Sequence, residues 1–308
     1  MARVVAGRFL SSLLVIMGSL VLVFTILYVL PGDPTDTILD PSVATPEMVA
    51  NLRHQLGVDQ PFHIQFFRYF SQMVQGDFGT SLLNSEPVLD KILAHFPATL
   101  ALTAASSLVS VSVGLVLGVL SAVHRNRLID IAARIVGLFG ISMPTFWSGI
   151  LLIVIFSLNL GWFPAMGSDG WLTLVLPAVT LGIVGAGFIV RMVRSSMLDI
   201  IDEHFIVTLR SKGLTERAVM YRHALRNALI PAITMIGMLV GEMLAGTVVV
   251  ETVFSRQGIG RILSDALMAK DLPVVQGVVF FSALVYVIAN LLVDLSYAGI
   301  DPRVRRSA

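Results

Sequence analysis

Charged residues in this chain fall in clumps, and between the clumps lie long stretches without Asp, Glu, Lys or Arg: residues 9–32, 92–124, 135–168, 170–190 and 272–293. A sixth stretch, 229–250, is broken only by Glu242. A bilayer core of about 30 Å needs roughly 20 helical residues per crossing, so the pattern predicts six membrane-spanning helices. One ionisable group inside an apolar helix is costly but tolerable where it faces protein or water. The first stretch follows Arg3 and Arg8, as a secretory signal would. It is too long for the apolar core of a cleaved signal, however, and ends in Leu30-Pro31-Gly32-Asp33-Pro34 without a small-x-small site, so it is expected to stay as an anchor.

Residues 33–96 alone have a soluble pattern, and they carry helix punctuation. Thr45 can cap a helix opened by Pro46, with Glu47 placed well for the dipole, Gly57 as the stop, and Val49, Leu52 and Leu56 on one face. A second helix is expected from Pro61 to just before Gly76, with Phe62, Phe66, Tyr69, Phe70 and Met73 as an aromatic stripe. That stripe suits packing of a small external subdomain on the membrane domain, or a docking face for an external protein. Within the spans, small residues recur every fourth position, at Ser110, Gly114 and Gly118 and again at Gly237, Gly241 and Ala245. Such rows let helix backbones approach closely, within the chain or at a seam with another subunit. Met143-Pro144 and Pro231 are expected to mark kinks.

Composition narrows the function classes. Hydrophobic residues make up 56% and charged residues 13% of the 308, against about 25% charged in soluble domains; an ordinary water-soluble enzyme is excluded. A net charge of +1 leaves no surplus of cations for nucleic-acid phosphates. The absence of Cys removes disulfides, CxxC zinc sites and thiol catalysis. Of the 21 Lys and Arg, 15 lie in the N-terminus, the turn around residues 125–134, the segment 191–226 and the tail, and 6 in the segments of the other side. The positive-inside bias therefore predicts that both termini are cytoplasmic.

The informative segment is the cytoplasmic one, residues 191–228. Its mixed-charge part, 199–227, contains a helix-compatible run from Glu203 to Lys212 that stops at Gly213. Phe205, Ile206, Val207 and Leu209 give that run an apolar side, for which a groove on a partner protein is one physical solution. Two intramembrane acids remain. Glu242 lies near the middle of span five, where it either pairs structurally or lines a path, and Asp294 lies one turn beyond Asn290 near the cytoplasmic end of span six. Asp294 fits a hydrogen-bonded structural lock.

At this point the residues resemble a family. Residues 205–234, FIVTLRSKGLTERAVMYRHALRNALIPAIT, are similar to the cytoplasmic loop of ATP-binding-cassette importer permeases of the dipeptide, oligopeptide and nickel group. The likeness continues in Leu30-Pro31-Gly32-Asp33-Pro34, Gly76-Asp77-Phe78-Gly79-Thr80-Ser81, Pro97-Ala98-Thr99-Leu100, Glu251-Thr252-Val253-Phe254, Gly258-Ile259-Gly260-Arg261 and Asp301-Pro302-Arg303. Each motif is weak and their order is specific; Leu209 and Ser211 stand where the family often has Ala. The long external insert resembles that of the first, B-type, of two permease paralogues.

The resemblance implies an all-α polytopic membrane protein with the type I importer permease fold of six transmembrane helices and a small external helical insert between helices 1 and 2. Its parts would be 1–32 as the N-terminus and first span, 33–96 as the insert, 97–298 as the core of spans two to six, and 299–308 as the tail. It implies a translocation path shared with a second, C-type permease, two cytoplasmic ATP-binding subunits, an external substrate-binding protein, surrounding membrane lipid and a prokaryotic inner membrane. Coupling to the ATPases would rest on Glu203, Phe205, Thr208, Leu209, Arg210, Lys212, Gly213 and Leu214, and the path on Glu242 and Asn290. No G-x-x-x-x-G-K-[ST] loop occurs, so ATP and Mg²⁺ are expected on the partner subunits and the chain itself is expected to be no enzyme and to hold no cofactor or metal. Gly185-Ala186-Gly187 lacks the third Gly of a dinucleotide fingerprint. The cargo expected is a dipeptide or oligopeptide, with nickel and glutathione as sibling readings. A proton-coupled secondary transporter would need an inverted repeat or more intramembrane acids, and an intramembrane hydrolase would need H-E-x-x-H or G-x-S-x-G, which are absent.

Overall fold

In lipid each backbone N–H and C=O must find its partner within the segment, so a charge-free stretch has the helix as its only open-ended solution. The computed structural model describes residues 2–29, 35, 39 and 44–300, without the side chains of 2–10, 55, 56 and 294–300. The motif Leu30-Pro31-Gly32-Asp33-Pro34, the Asp294 side chain and Asp301-Pro302-Arg303 lie outside the described residues. Among those described, the helices are α1 (Ala2–Val29), α2 (Pro46–Leu56), α3 (Phe62–Val74), α4 (Val88–Val123), α5 (Leu128–Ser142), α6 (Thr145–Leu152), α7 (Leu172–Ile201), α8 (His204–Ser211), α9 (Leu225–Val253), α10 (Ile259–Met268) and α11 (Leu272–Ile300). Among the described residues the one extended pairing is an isolated bridge between Thr80 and Pro87.

Five of these helices are long and apolar enough to cross a membrane, and a sixth crossing is made if the bent pair α5 and α6 counts as one. That pair falls on the stretch 135–168 expected as one span, and its break falls at Met143-Pro144, where a kink is expected. The helix begins earlier, at Leu128, stops at Ser142 and resumes at Thr145 after a bend of 113°. Met143 is extended, with φ −84° and ψ 133°, because the residue before a proline is driven out of the α region and Pro144 brings no N–H to continue the ladder. α6 then passes into a π-helical stretch, Ile153–Asn159. Pro231 does not behave in this way: α9 continues through it.

The chain divides into two compact units, residues 1–99 with 257–288 and residues 100–256 with 289–308. In the first, the expected caps are present. Thr45 accepts a hydrogen bond from the Met48 N–H at 3.3 Å, and Gly57 closes α2 with φ 70°. The stripe on α3 packs on α1, where the Phe24 ring lies 5.3 Å from Phe62, 5.4 Å from Phe66 and 5.5 Å from Tyr69. Burial pushes the Tyr69 phenol well above its usual range.

The scattered short motifs of this unit share one explanation, which is anchoring of loops. Asp77 accepts from the Gly79 N–H at 2.9 Å, turning the chain so that Phe78 is buried against Phe280. The buried Asp271 carboxylate, just before α11, accepts from the Ser81 hydroxyl and from the Leu82 N–H at 3.1 Å. The buried Thr99 hydroxyl accepts from the Ile259 N–H at 2.9 Å, so that Pro97-Ala98-Thr99-Leu100 caps the helix opened by Gly258-Ile259-Gly260-Arg261.

In the second unit α7 lies against both α4 and α5, and glycines set the distance. A Cβ on Gly114 would stand 2.6 Å from Ile189, one on Gly182 2.7 Å from Val109, and one on Gly140 2.5 Å from the Ile183 carbonyl oxygen. The Ser110 hydroxyl donates to the Gly182 carbonyl at 2.7 Å. The first small-residue row therefore seats α4 on α7 of the same chain. The second row is not one contact face, since Gly241 is buried and Ala245 exposed.

Candidate coupling and translocation site

Two residues, Asp202 and Glu203, separate the end of α7 from α8. Ile206 is fully buried and forms a small core with Val219 and Ala224, against which Ile200, Ile201, Leu209 and Leu214 pack. The sequence placed Phe205, Ile206, Val207 and Leu209 together as one partner-facing side, and the structure divides them. Ile206 and Leu209, three residues apart and so neighbours on a helix, face the chain itself, while Phe205 and Val207 are 39% and 56% exposed. Thr208, Arg210, Ser211 and Lys212 are exposed as well, as is Glu203 at the start of the helix.

The helix ends as Gly213 suggests. Gly213 has φ 81°; its N–H donates to the Arg210 carbonyl at 2.9 Å, and the Leu214 N–H reaches the Leu209 carbonyl at 3.3 Å. This paired closure, with apolar Leu214 and Leu209 side chains on one cluster, is the glycine-terminated C-cap motif. A Cβ on Gly213 would meet nothing within 4 Å, so the requirement for glycine there is one of backbone conformation alone. Arg210 grips Glu216 with both prongs, Nε at 2.8 Å and Nη2 at 3.3 Å. The Glu216 carboxylate holds the Arg210 guanidinium above its usual value. A π-helical stretch, Ala218–Ala224, then leads into α9.

The residue that sequence reading missed is Asp130, in the first turn of α5 and 0% exposed. Arg194 of α7 donates to it twice, at 2.8 and 3.0 Å; the Ser121 hydroxyl of α4 donates at 2.6 Å, the Asn126 N–H at 2.9 Å, and Arg134 stands 3.4 Å away. One carboxylate thus ties α4, the turn after it, α5 and α7 together. The Arg125 guanidinium approaches Asp202 at 4.0 Å, so the same turn reaches the joint between α7 and α8. The available signal was an acid set among Arg125, Arg127 and Arg134, which in the sequence counted only toward orientation.

Of the intramembrane polar residues, Glu242 is exposed on α9 and makes no hydrogen bond or ion pair among the described residues. It lies in an exposed row with Asn227, Thr234, Met238, Ala245 and Thr252. Asn290 is half-buried on α11, and nothing described bonds it to Glu242. Glu251, quoted above only as part of a motif, is fully buried. Five residues on, Arg256 is 5% exposed, and burial pushes its guanidinium down against the favourable Glu251 charge.

A search against family models finds two matches. Residues 114–306 match the "binding-protein-dependent transport system inner membrane component" and residues 1–103 the N-terminal model of the corresponding membrane component. Among curated relatives, the glutathione transport system permease protein GsiC of Salmonella paratyphi A (strain ATCC 9150 / SARB42) is 42% identical over 305 residues, covering 99% of each chain. GsiC of Escherichia coli (strain K12) is 42% identical over 285 residues, 92% of this chain and 93% of the relative. Solved structures share the fold. Two inward-facing crystal forms of the MetNI methionine ABC transporter give TM-scores of 0.59 and 0.60 at 20% and 22% identity, each over 70% of this chain and 99% of theirs.

Proposed function

The chain belongs to the family of binding-protein-dependent transport system inner membrane components, and on that premise we propose that its cargo is a short peptide, with glutathione, itself a tripeptide, as the first candidate. The chain is a permease of an ATP-driven importer. The observation that carries the cargo reading is the 42% identity, over 99% of both chains, to a permease whose stated cargo is glutathione. A second, C-type permease completes the path, an external binding protein delivers the cargo, and two cytoplasmic ATPases bind the exposed side of α8 and carry the ATP and Mg²⁺. Both termini lie on the ATPase side.

A carboxylate near the middle of a membrane helix costs about 2.5–3.5 kcal/mol on insertion scales, which favours water or protein over lipid beside Glu242. The exposed row of α9 therefore lines the path, where Glu242 meets the cargo's amino group and Asn290 adds a neutral hydrogen-bonding partner. The test is uptake by proteoliposomes holding the complete assembly with its binding protein. ATP-dependent accumulation of labelled glutathione, competed weakly by dipeptides, is the expected result; accumulation of dipeptide without glutathione would overturn this cargo. Glu242→Gln is expected to lower uptake about tenfold or more, for a lost charge-assisted contact, while the ATPases still co-purify. Loss of assembly in that variant would assign Glu242 to structural pairing.

A further inference from the structure

α3 carries more apolar surface than α1 can cover. Phe62, Phe66, Tyr69 and Met73 face α1, with Tyr69 and Met73 buried. Next to that face and continuous with it stand Ile64, Phe67 and Val74, which are 45%, 66% and 67% exposed. At 100° per residue these three fall within one arc, which exposed His63 and Ser71 share, and the remaining arc, with Gln65, Arg68 and Gln72, is wholly polar. A helix on a protein surface in water usually keeps large apolar side chains off the face that protein does not cover, and here three stand on it.

The height of α3 along α1 names the occupant. α1 is long and apolar enough to cross a membrane over Ser11–Val29, and α3 packs on it at Phe24, with Tyr28 also on Phe62 at 5.1 Å. Phe24 lies five residues before Val29, the last described residue of α1, about 7.5 Å at 1.5 Å per residue, and so near the outer end of the apolar stretch. Helices that lie in the plane of a membrane bury their apolar face about 5–10 Å into the boundary between headgroups and acyl chains. At that depth the exposed apolar flank of α1, including Leu22 and Ile26, is on the lipid side already.

We propose that α3 is an interfacial helix, with Ile64, Phe67 and Val74 seated in the outer-leaflet lipid, Gln72 in water, and Arg68 at the level of the lipid phosphates. The insert between the first two spans then rests on the bilayer as well as on α1, and its aromatic stripe and exposed apolar arc have separate duties. This rests on α1 crossing the membrane and not on the cargo or the path.

The chain has no Cys, so a nitroxide on a single introduced cysteine reports one position. In the assembled importer in phosphatidylethanolamine and phosphatidylglycerol nanodiscs, without binding protein, Phe67→Cys and Val74→Cys should be more accessible to oxygen than to a water-soluble nickel chelate. Gln72→Cys should show the reverse order. Val15→Cys, on the exposed flank of α1, sets the lipid reference. Preference for the nickel chelate at both Phe67 and Val74 would place that arc in water and overturn the proposal. Low accessibility to both agents would place a protein there, a second permease in this preparation, and overturn it equally. A water signal at Val15 would remove the span and the inference together.

Discussion

Asp130 sits where water cannot replace a lost partner. Its four short hydrogen bonds come from Arg194, Ser121 and the Asn126 N–H, and with no solvent exposure the carboxylate and the guanidinium depend on one another. Removing one member of a buried pair leaves the other charge uncompensated, at a cost of about 3–5 kcal/mol. Asp130→Asn should therefore lower the unfolding free energy of the purified subunit by about 3 kcal/mol, Arg194 being partly solvated, as read from a denaturant titration in detergent. Arg194→Lys, which keeps the charge and loses the fork, should fall between wild type and that variant. At this scale legibility depends on how local the cause is. Thr45, Gly57 and Gly213 were readable because a cap or a left-handed stop is settled by a few neighbouring residues. Asp130 was not, because its main partner stands 64 positions away and nothing near it in the sequence announces burial.

For α8 the division of its apolar residues decides which substitution reports docking. Leu209→Asp would put a charge against the cluster of Ile206, Val219 and Ala224 and loosen α8 from its own chain. Phe205→Asp combined with Val207→Asp changes exposed side chains only. The double variant should leave subunit abundance and stability near wild type, while co-purification of the ATPases and cargo uptake are lost; retention of both would free this face from the docking role. Leu209→Asp should instead reduce abundance first. The six apolar stretches were legible as helices because lipid leaves the backbone few options. The bend between α5 and α6 was legible as a kink at Met143-Pro144 and illegible as a 113° turn, since a charge-free stretch reports polarity and says nothing of direction.

At the scale of the whole molecule, orientation is the broadest expectation. With native Cys absent, Ser85→Cys in the insert should react with an impermeant maleimide added to intact cells, and Ser211→Cys on α8 should not; both positions are exposed. Labelling at Ser211 from outside would invert the topology. The order of weak motifs along the chain carried the family resemblance, and the family models matched over residues 1–103 and 114–306 bear it out. Their individual purposes needed the fold, which brings Thr99 to Ile259 and Ser81 to Asp271. The close seating of α7 has a further consequence, for heredity. Every missense change of a glycine codon introduces a side chain with a Cβ, and at Gly140 and Gly187 that atom would meet the backbone carbonyl oxygens of Ile183 and Gly137. These positions have no neutral amino-acid replacement one base away, so a lineage that keeps this packing must keep these glycines, and drift has to find its room on the helix faces that α7 does not touch.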